Sequence, residues 1–145
     1  MKGSGLWAAD VGDSMKHTGI LNPELISAIA ALGHTQSIVI GDCGLPVPKN
    51  VRVIDLSLVA GIPAFMDVLR AVNGELVVEK ALIASEMKEK NPAVYKSVQA
   101  EMAGIPMTEC VHEEFKKRME FAACVIRTGE TTPYANIILY GGVNF

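Results

Sequence analysis

A chain of 145 residues carries 13 Lys plus Arg against 16 Asp plus Glu, a formal charge of −3, and half of its side chains are hydrophobic. The length suits one compact domain, the absence of a basic run leaves no electrostatic footprint for nucleic acid, and no apolar stretch approaches the roughly 18 residues that a membrane span needs. Counted with Gly and without Tyr, the apolar fraction is about 57% against a usual 45 to 50%, so more surface is expected to be buried than a monomer covers by itself.

Residues 1–14 carry Gly3, Gly5 and Gly12 without an apolar period, and Asp10 and Asp13 stand where a signal peptide needs its apolar segment and cleavage site. With Met15-Lys16 offering a second plausible start, this stretch is expected to be an extension or a vector-derived remnant beside a single domain of residues 15–145, in a cytoplasmic protein. Asn22-Pro23-Glu24 combines a helix cap, a first-turn proline and an early acid, and Leu25, Ile26, Ile29, Ala30 and Leu32 then recur at helical spacing up to Gly33. Ser37 to Ile40 is a short β-branched run that predicts a strand, emptying into a loop stiffened by Gly44, Pro46 and Pro48.

A second helix is expected from Ile62 to Val72, with Phe65, Met66, Leu69 and Val72 on one side. Leu76 to Ser85 predicts a buried strand, apolar except for Glu79 and Lys80, and Glu86 to Lys90 a polar helical segment that Asn91-Pro92 caps or breaks. Ala93 to Met102 repeats the helical pattern, Met107 to Val111 reads as a short strand, and Glu113 to Ala122 as a helix. Two last strands, Ala123 to Ile126 and Ile137 to Tyr140, flank a polar loop. This alternation argues for one three-layer α/β domain, helices packed on a largely parallel or mixed sheet.

Ligands of open α/β sheets collect beyond the carboxyl ends of strands, which favours Asp42 and His112 as candidates. His34 follows the first helix, whose C-terminal partial charge favours a protonated imidazole and would suit a general acid; an exposed capping histidine is the plainer alternative. Asp42, held between Gly41 and Gly44-Leu45-Pro46-Val47-Pro48, can accept ligand hydroxyls without an ordering cost, unless it is an ordinary turn aspartate. Pro133-Tyr134-Ala135-Asn136 puts a phenol and an amide on a loop leading into a strand, groups that donate and accept and so match a neutral polyol, or else form a plain turn. Arg127, Thr128, Gly129 and Glu130 offer a possible anion nest, although the glycine-rich nucleotide motifs are missing. Cys43, Cys110 and Cys124 form neither a Cys-x-x-Cys pair nor an even set, so neither a disulfide framework nor a structural metal site is expected.

Taken in order, Gly33-His34-Thr35, Asp42-Cys43-Gly44-Leu45-Pro46-Val47-Pro48, Arg52-Val53-Ile54-Asp55, Ile62-Pro63-Ala64-Phe65, Ala84-Ser85-Glu86-Met87-Lys88, His112-Glu113-Glu114-Phe115-Lys116, Ile126-Arg127-Thr128-Gly129-Glu130, Pro133-Tyr134-Ala135-Asn136 and Gly142-Val143-Asn144-Phe145 carry a resemblance over residues 15–145. The sequence resembles the D-ribose pyranases, and its Gly-Leu-Pro-x-Pro loop separates it from the sister L-fucose mutarotases. Cys43 departs from a more usual alanine, and the first fourteen residues have no counterpart. The resemblance implies an isomerase that exchanges the β-pyranose and β-furanose forms of D-ribose, with His34 as proton donor and Asp42, His112, Tyr134, Ala135 and Asn136 binding the sugar. It implies no metal or organic cofactor, and a ring-shaped homo-oligomer, pentamer or decamer, with sites between subunits. Chain order suggests that His34 and Asp42 form one half of such a site and Tyr134 and Asn136 the other. A fucose-type mutarotase, a non-catalytic sugar-binding accessory of ribose uptake and a purely structural ring are the competing expectations.

Overall fold

Strand alternation dictates the layering. The computed structural model describes residues 16–145; the stretch read above as an extension, residues 1–14, lies outside them. Six strands form one sheet: β1 (Ser37–Gly41), β2 (Arg52–Asp55), β3 (Val78–Ala84), β4 (Met107–Cys110), β5 (Cys124–Arg127) and β6 (Ile137–Gly141), in the order β2-β5-β1-β6-β3-β4. Because successive side chains of a strand leave on opposite faces, Ile38, Ile40, Ala81, Ile83, Cys124, Ile126, Ile137 and Leu139 enter one core. Val39, Leu82, Val125 and Ile138 enter the other.

The larger core is closed by α1 (Pro23–Ala31), α2 (Phe65–Asn73), α3 (Glu86–Lys90) and α4 (Pro92–Glu101) through Leu25, Ile29, Phe65, Leu69, Val72, Met87 and Val98. On the smaller face, α5 (His112–Arg118) and a 3-10 turn (Met119–Phe121) supply Phe115 and Met119, with Leu45 and Val51 filling in. The expected α/β layering is therefore present with a mixed sheet. The Asn22 cap forms as its sequence implies, its Oδ1 accepting the Leu25 N–H at 2.9 Å. Asn91-Pro92 breaks one helical run into α3 and α4.

Three local expectations shift. The second helix starts at Phe65, because Ile62 and Val59 make a small β-bridge just before it. The charged helix ends at Arg118 and finishes as 3-10. Strand β2, four residues of which only Ile54 is buried, lacked an apolar run and was not expected as a strand. The last two strands do not pair with each other, since β1 lies between β5 and β6.

Direction is what positions function. β1 is parallel to β5 and β5 to β2, β3 is parallel to β4, and β6 runs antiparallel to both β1 and β3. Five strands thus point one way. Their carboxyl ends, together with the start of β6, share one edge of the domain, while the starts of β1 and β3 and the end of β6 share the opposite edge. No helix among the described residues is long and apolar enough to cross a membrane.

The smaller core depends heavily on Phe115, which is fully buried. Phe115→Ala should lower unfolding free energy by about 3 to 5 kcal/mol, read as a drop in urea midpoint at unchanged protein concentration. A loss within about 1 kcal/mol would mean that this face collapses to fill the void.

Candidate functional site

At the carboxyl edge, β1 ends in Gly41 and the chain turns through Asp42. A side chain at Gly41 would meet Leu45 Cδ2 at 2.5 Å and Asn136 Oδ1 at 3.0 Å, so only glycine lets the loop close over the start of β6. The Asp42 N–H donates to Asn136 Oδ1 at 2.8 Å, and the Asp42 carboxylate accepts the Gly44 N–H at 2.9 Å. Asn136 is fully buried, and its Nδ2 lies near that carboxylate but makes no hydrogen bond.

His112 opens α5 at the end of β4. Its backbone N–H donates to both carboxylate oxygens of Glu86, at 3.0 and 3.1 Å. Burial tends to raise the Glu86 carboxyl, but the His112 N–H and its own amide outweigh that and hold it below its usual value. The His112 ring stacks on Phe115 with centroids 6.2 Å apart and meets Tyr134 edge-on at 5.1 Å. Its Nδ1 is buried and without a hydrogen-bond partner. Tyr134 adopts a φ of 56°, a strained setting for a non-glycine residue that the surroundings must enforce. Asn91 enforces it, donating from Nδ2 to Thr132 Oγ1 at 2.8 Å and to the Pro133 carbonyl at 2.9 Å.

Asp42, His112, Tyr134 and Asn136 therefore meet in one chain. Two buried nitrogens, His112 Nδ1 and Asn136 Nδ2, lack partners beside a carboxylate, and buried polar groups are otherwise almost always satisfied. Such an edge is equipped to hold hydroxyl groups. Ala135 is fully buried in the larger core, so any contact it makes with a ligand runs through its backbone. A cavity of about 290 Å³, lined by Cys43, Ser57, Leu58, Val59, Ala60 and Gly129, opens beside the loop.

His34 lies at the opposite edge. It precedes β1 whereas Asp42 follows it, and five strand residues at about 3.3 Å each keep them well apart. The grouping of His34 with Asp42 and of Tyr134 with Asn136 is thus corrected: Asp42 and Asn136 are bonded within the chain, and His34 alone stands away. The helix-end rationale for His34 changes as well. α1 ends at Ala31, with Leu32 as its C-cap, and the charge nearest His34 is Glu79, whose Oε1 is 3.2 Å from Nε2.

The anion nest at residues 127–130 does not form. Thr128 N–H donates to Gly41 O and Gly129 N–H to Pro63 O, and Glu130 N–H donates to Thr128 Oγ1. A Cβ on Gly129 would sit 2.4 Å from Ile62 O, and the Glu130 carboxylate accepts the Phe65 N–H at 2.9 Å. This segment instead stitches the 57–63 loop and the start of α2 to the site edge. Among the described residues no three His, Cys, Asp or Glu side chains cluster as a metal site. Sequence reasoning passed over Glu79, Glu86, Asn91 and Glu130 as positioning groups; a charged residue inside an otherwise apolar strand was the visible signal for Glu79.

Fold and edge together define an α/β domain fitted to a small neutral polyol. Comparison with known proteins sharpens this: residues 15–144 match the RbsD / FucU transport protein family, and the chain belongs to that family. It is 56% identical over 131 residues to a D-ribose pyranase of Geobacillus thermodenitrificans, covering 90% of this chain and 99% of the relative. It is 50% identical to the D-ribose pyranase of Symbiobacterium thermophilum over 90% of this chain and all of the relative. The structure of Bacillus subtilis RbsD complexed with D-ribose superposes with a TM-score of 0.87 at 48% identity, over 90% of this chain and 100% of that one. The fold also matches a fucose mutarotase from Streptococcus pneumoniae in complex with L-fucose, with a TM-score of 0.74 at 23% identity over 86% and 94% of the two chains.

Burial raises the Asp42 carboxyl above its ordinary value; the Gly44 N–H, the Asn136 amide, the charge of His112 and the Leu45 N–H oppose that without cancelling it. The ionised form is therefore costlier in the folded chain than in the unfolded one. That cost is absent below the ordinary carboxyl range and develops as pH rises through the raised folded value. Asp42→Asn, which keeps the oxygen facing Gly44, should raise Tm at pH 7, and the gain should shrink as pH falls through that value. A Tm at pH 7 no higher than the parent's would refute the penalty.

Proposed function

We propose that the chain is a D-ribose pyranase, a cytoplasmic ring-shaped homo-oligomer, pentameric or doubled to a decamer, that exchanges the β-pyranose and β-furanose forms of D-ribose without metal or organic cofactor. The reading rests above all on the grouping of Asp42, His112, Tyr134 and Asn136, with two partnerless buried nitrogens, in a chain 45 to 56% identical to proteins named D-ribose pyranase. Identity to the fucose mutarotase is only 23%, which favours ribose over the fucose-type alternative.

Ring exchange needs the ring oxygen to gain a proton while the anomeric hydroxyl loses one, and the open aldehyde then closes through a different hydroxyl. His34 gives its imidazolium proton to the ring oxygen as the C1–O bond breaks. His112 accepts the anomeric proton at its buried Nδ1, and the Asp42 carboxylate stabilises the charge that results. On closure the newly attacking hydroxyl returns a proton to His34 while His112 reprotonates the carbonyl oxygen, so both residues end as they began. Tyr134 and Asn136 hold hydroxyls, with Ala135 contributing its backbone.

Since His34 lies at one edge and its partners at the other, the acid comes from a neighbouring copy in a head-to-tail contact, which closes into a ring. Apolar side chains stand exposed at both edges: Leu58, Val59 and Ile62 by the Asp42 loop, Val77, Val143 and Phe145 by the His34 end. Burying them against each other accounts for the apolar excess of the composition. Residues 15–145 form the active domain, and a chain starting at Met15 should keep full turnover and assembly; a soluble but inactive truncation would bring residues 1–14 into the site.

Saturation-transfer NMR on D-ribose tests the activity, which must accelerate exchange between ring forms. His34→Ala and Asn136→Ala should each keep only a small residual turnover, while refolding them together in equal amounts should restore about one site in four, because an intact site takes His34 from one copy and Asn136 from its neighbour. Mixed rings, verified by mass spectrometry, that stay as inactive as the parents would overturn the shared site. Unaccelerated exchange with ribose still bound would make the protein a sugar-binding accessory.

A further inference from the structure

The register of β3 against β6 slips at one place. Val78 faces Gly141 and Lys80 faces Tyr140, so Glu79 is an extra residue with no partner of its own across the ladder. A bulge of this kind bends the strand and re-aims one side chain, and bulges recur beside active sites. Here the re-aimed side chain is the carboxylate that reaches His34 Nε2 at 3.2 Å. The side chains of the pair are each about half exposed, and the backbone beside Glu79 is anchored. Gly142 N–H donates to the Val77 carbonyl at 2.8 Å, and a Cβ on Gly142 would come within 3.4 Å of Glu79 Cβ.

On the other side of the pair, the turn carrying His34 is tightly built. Gly33 N–H donates to Gln36 Oε1 at 2.6 Å. Thr35 is held at a φ of 71°, with its N–H on the Gly141 carbonyl at 3.0 Å. Thr35 and Tyr134 are the described non-glycine residues with positive φ, and each adjoins or belongs to the proposed machinery. Such strain persists only where surrounding structure imposes it.

We infer that Glu79 is the positioning residue of the acid: the β3 bulge delivers its carboxylate to His34, holds the Nε2–H, and leaves Nδ1 as the nitrogen that faces the sugar of the adjoining subunit. A carboxylate only accepts, so the imidazole nitrogen bonded to it must carry hydrogen, and this selects the tautomer and orientation of the ring. Glu79 touches no reacting atom and acts through His34. The inference rests on the reading of His34 as the proton donor.

The test is a double-mutant cycle of Glu79→Gln and His34→Ala, with ring-exchange rates measured by NMR over a range of ribose concentrations and assembly checked by sedimentation. Glu79→Gln should lower kcat by about tenfold or more, the scale on which misplacing a reacting group slows catalysis, while KM moves by less than about twofold and the ring stays assembled. In the His34→Ala background the same change should cost nothing further, because the two residues act as one unit. Glu79→Asp should recover part of the lost kcat. Wild-type kcat in Glu79→Gln, an equal loss in both backgrounds, or a rise in KM without a fall in kcat overturns the proposal and leaves His34 as the acid. Wild-type turnover in His34→Ala alone overturns the reading of His34 itself, and with it the role of Glu79.

Discussion

The hydrogen bond from the Asp42 N–H to the buried Asn136 Oδ1 joins residues 94 positions apart and ties the exit of β1 to the start of β6. It fixes where the loop after β1 leaves the sheet. It requires glycine at position 41, because a side chain there would strike Leu45 and the same amide, and it lies at the start of the strand that runs antiparallel between β1 and β3. Replacing the amide by an apolar group would leave a partly buried N–H without an acceptor, a desolvation cost of about 1 to 3 kcal/mol.

From that junction the rest of the carboxyl edge is built by carboxylates and amides that serve backbone groups. Glu86 receives the His112 N–H, Glu130 receives the Phe65 N–H, and Asn91 fixes the turn before Tyr134. These groups spend their hydrogen bonds on the scaffold. His112 Nδ1 and Asn136 Nδ2 have no partner within the chain, in a place where desolvation makes each bond count. Pre-ordering of this kind removes an entropic cost that a mobile loop would otherwise impose on binding.

The same sheet geometry separates His34 from the other candidate residues. Five parallel strands bring every carboxyl end to one edge and leave His34 at the other, so no rearrangement of loops short of unfolding β1 could bring His34 to Asp42 within one copy. With His34 read as the acid, assembly becomes part of the proposed catalytic design. On the proposed reading a neighbouring copy supplies the acid, and the apolar side chains exposed at the two edges offer the contact.

By itself the amino-acid sequence determined the alternation of strands and helices, the cap at Asn22, the break at Asn91-Pro92 and the stiff Gly-Pro loop after β1, because these follow from local propensity and period, whereas the set of candidate site residues came from the family resemblance. The sequence also placed Asp42 and His112 just beyond strand ends. The short edge strand β2 stayed hidden because three of its four side chains are not buried. Only the tertiary structure decided that Asp42 belongs with Asn136 and that His34 stands apart, that Gly129 and Glu130 brace a loop instead of cradling an anion, and that a one-residue slip in β3 turns Glu79 toward His34. Each of these depends on strand order, direction and register, long-range pairings that no local pattern of residues encodes.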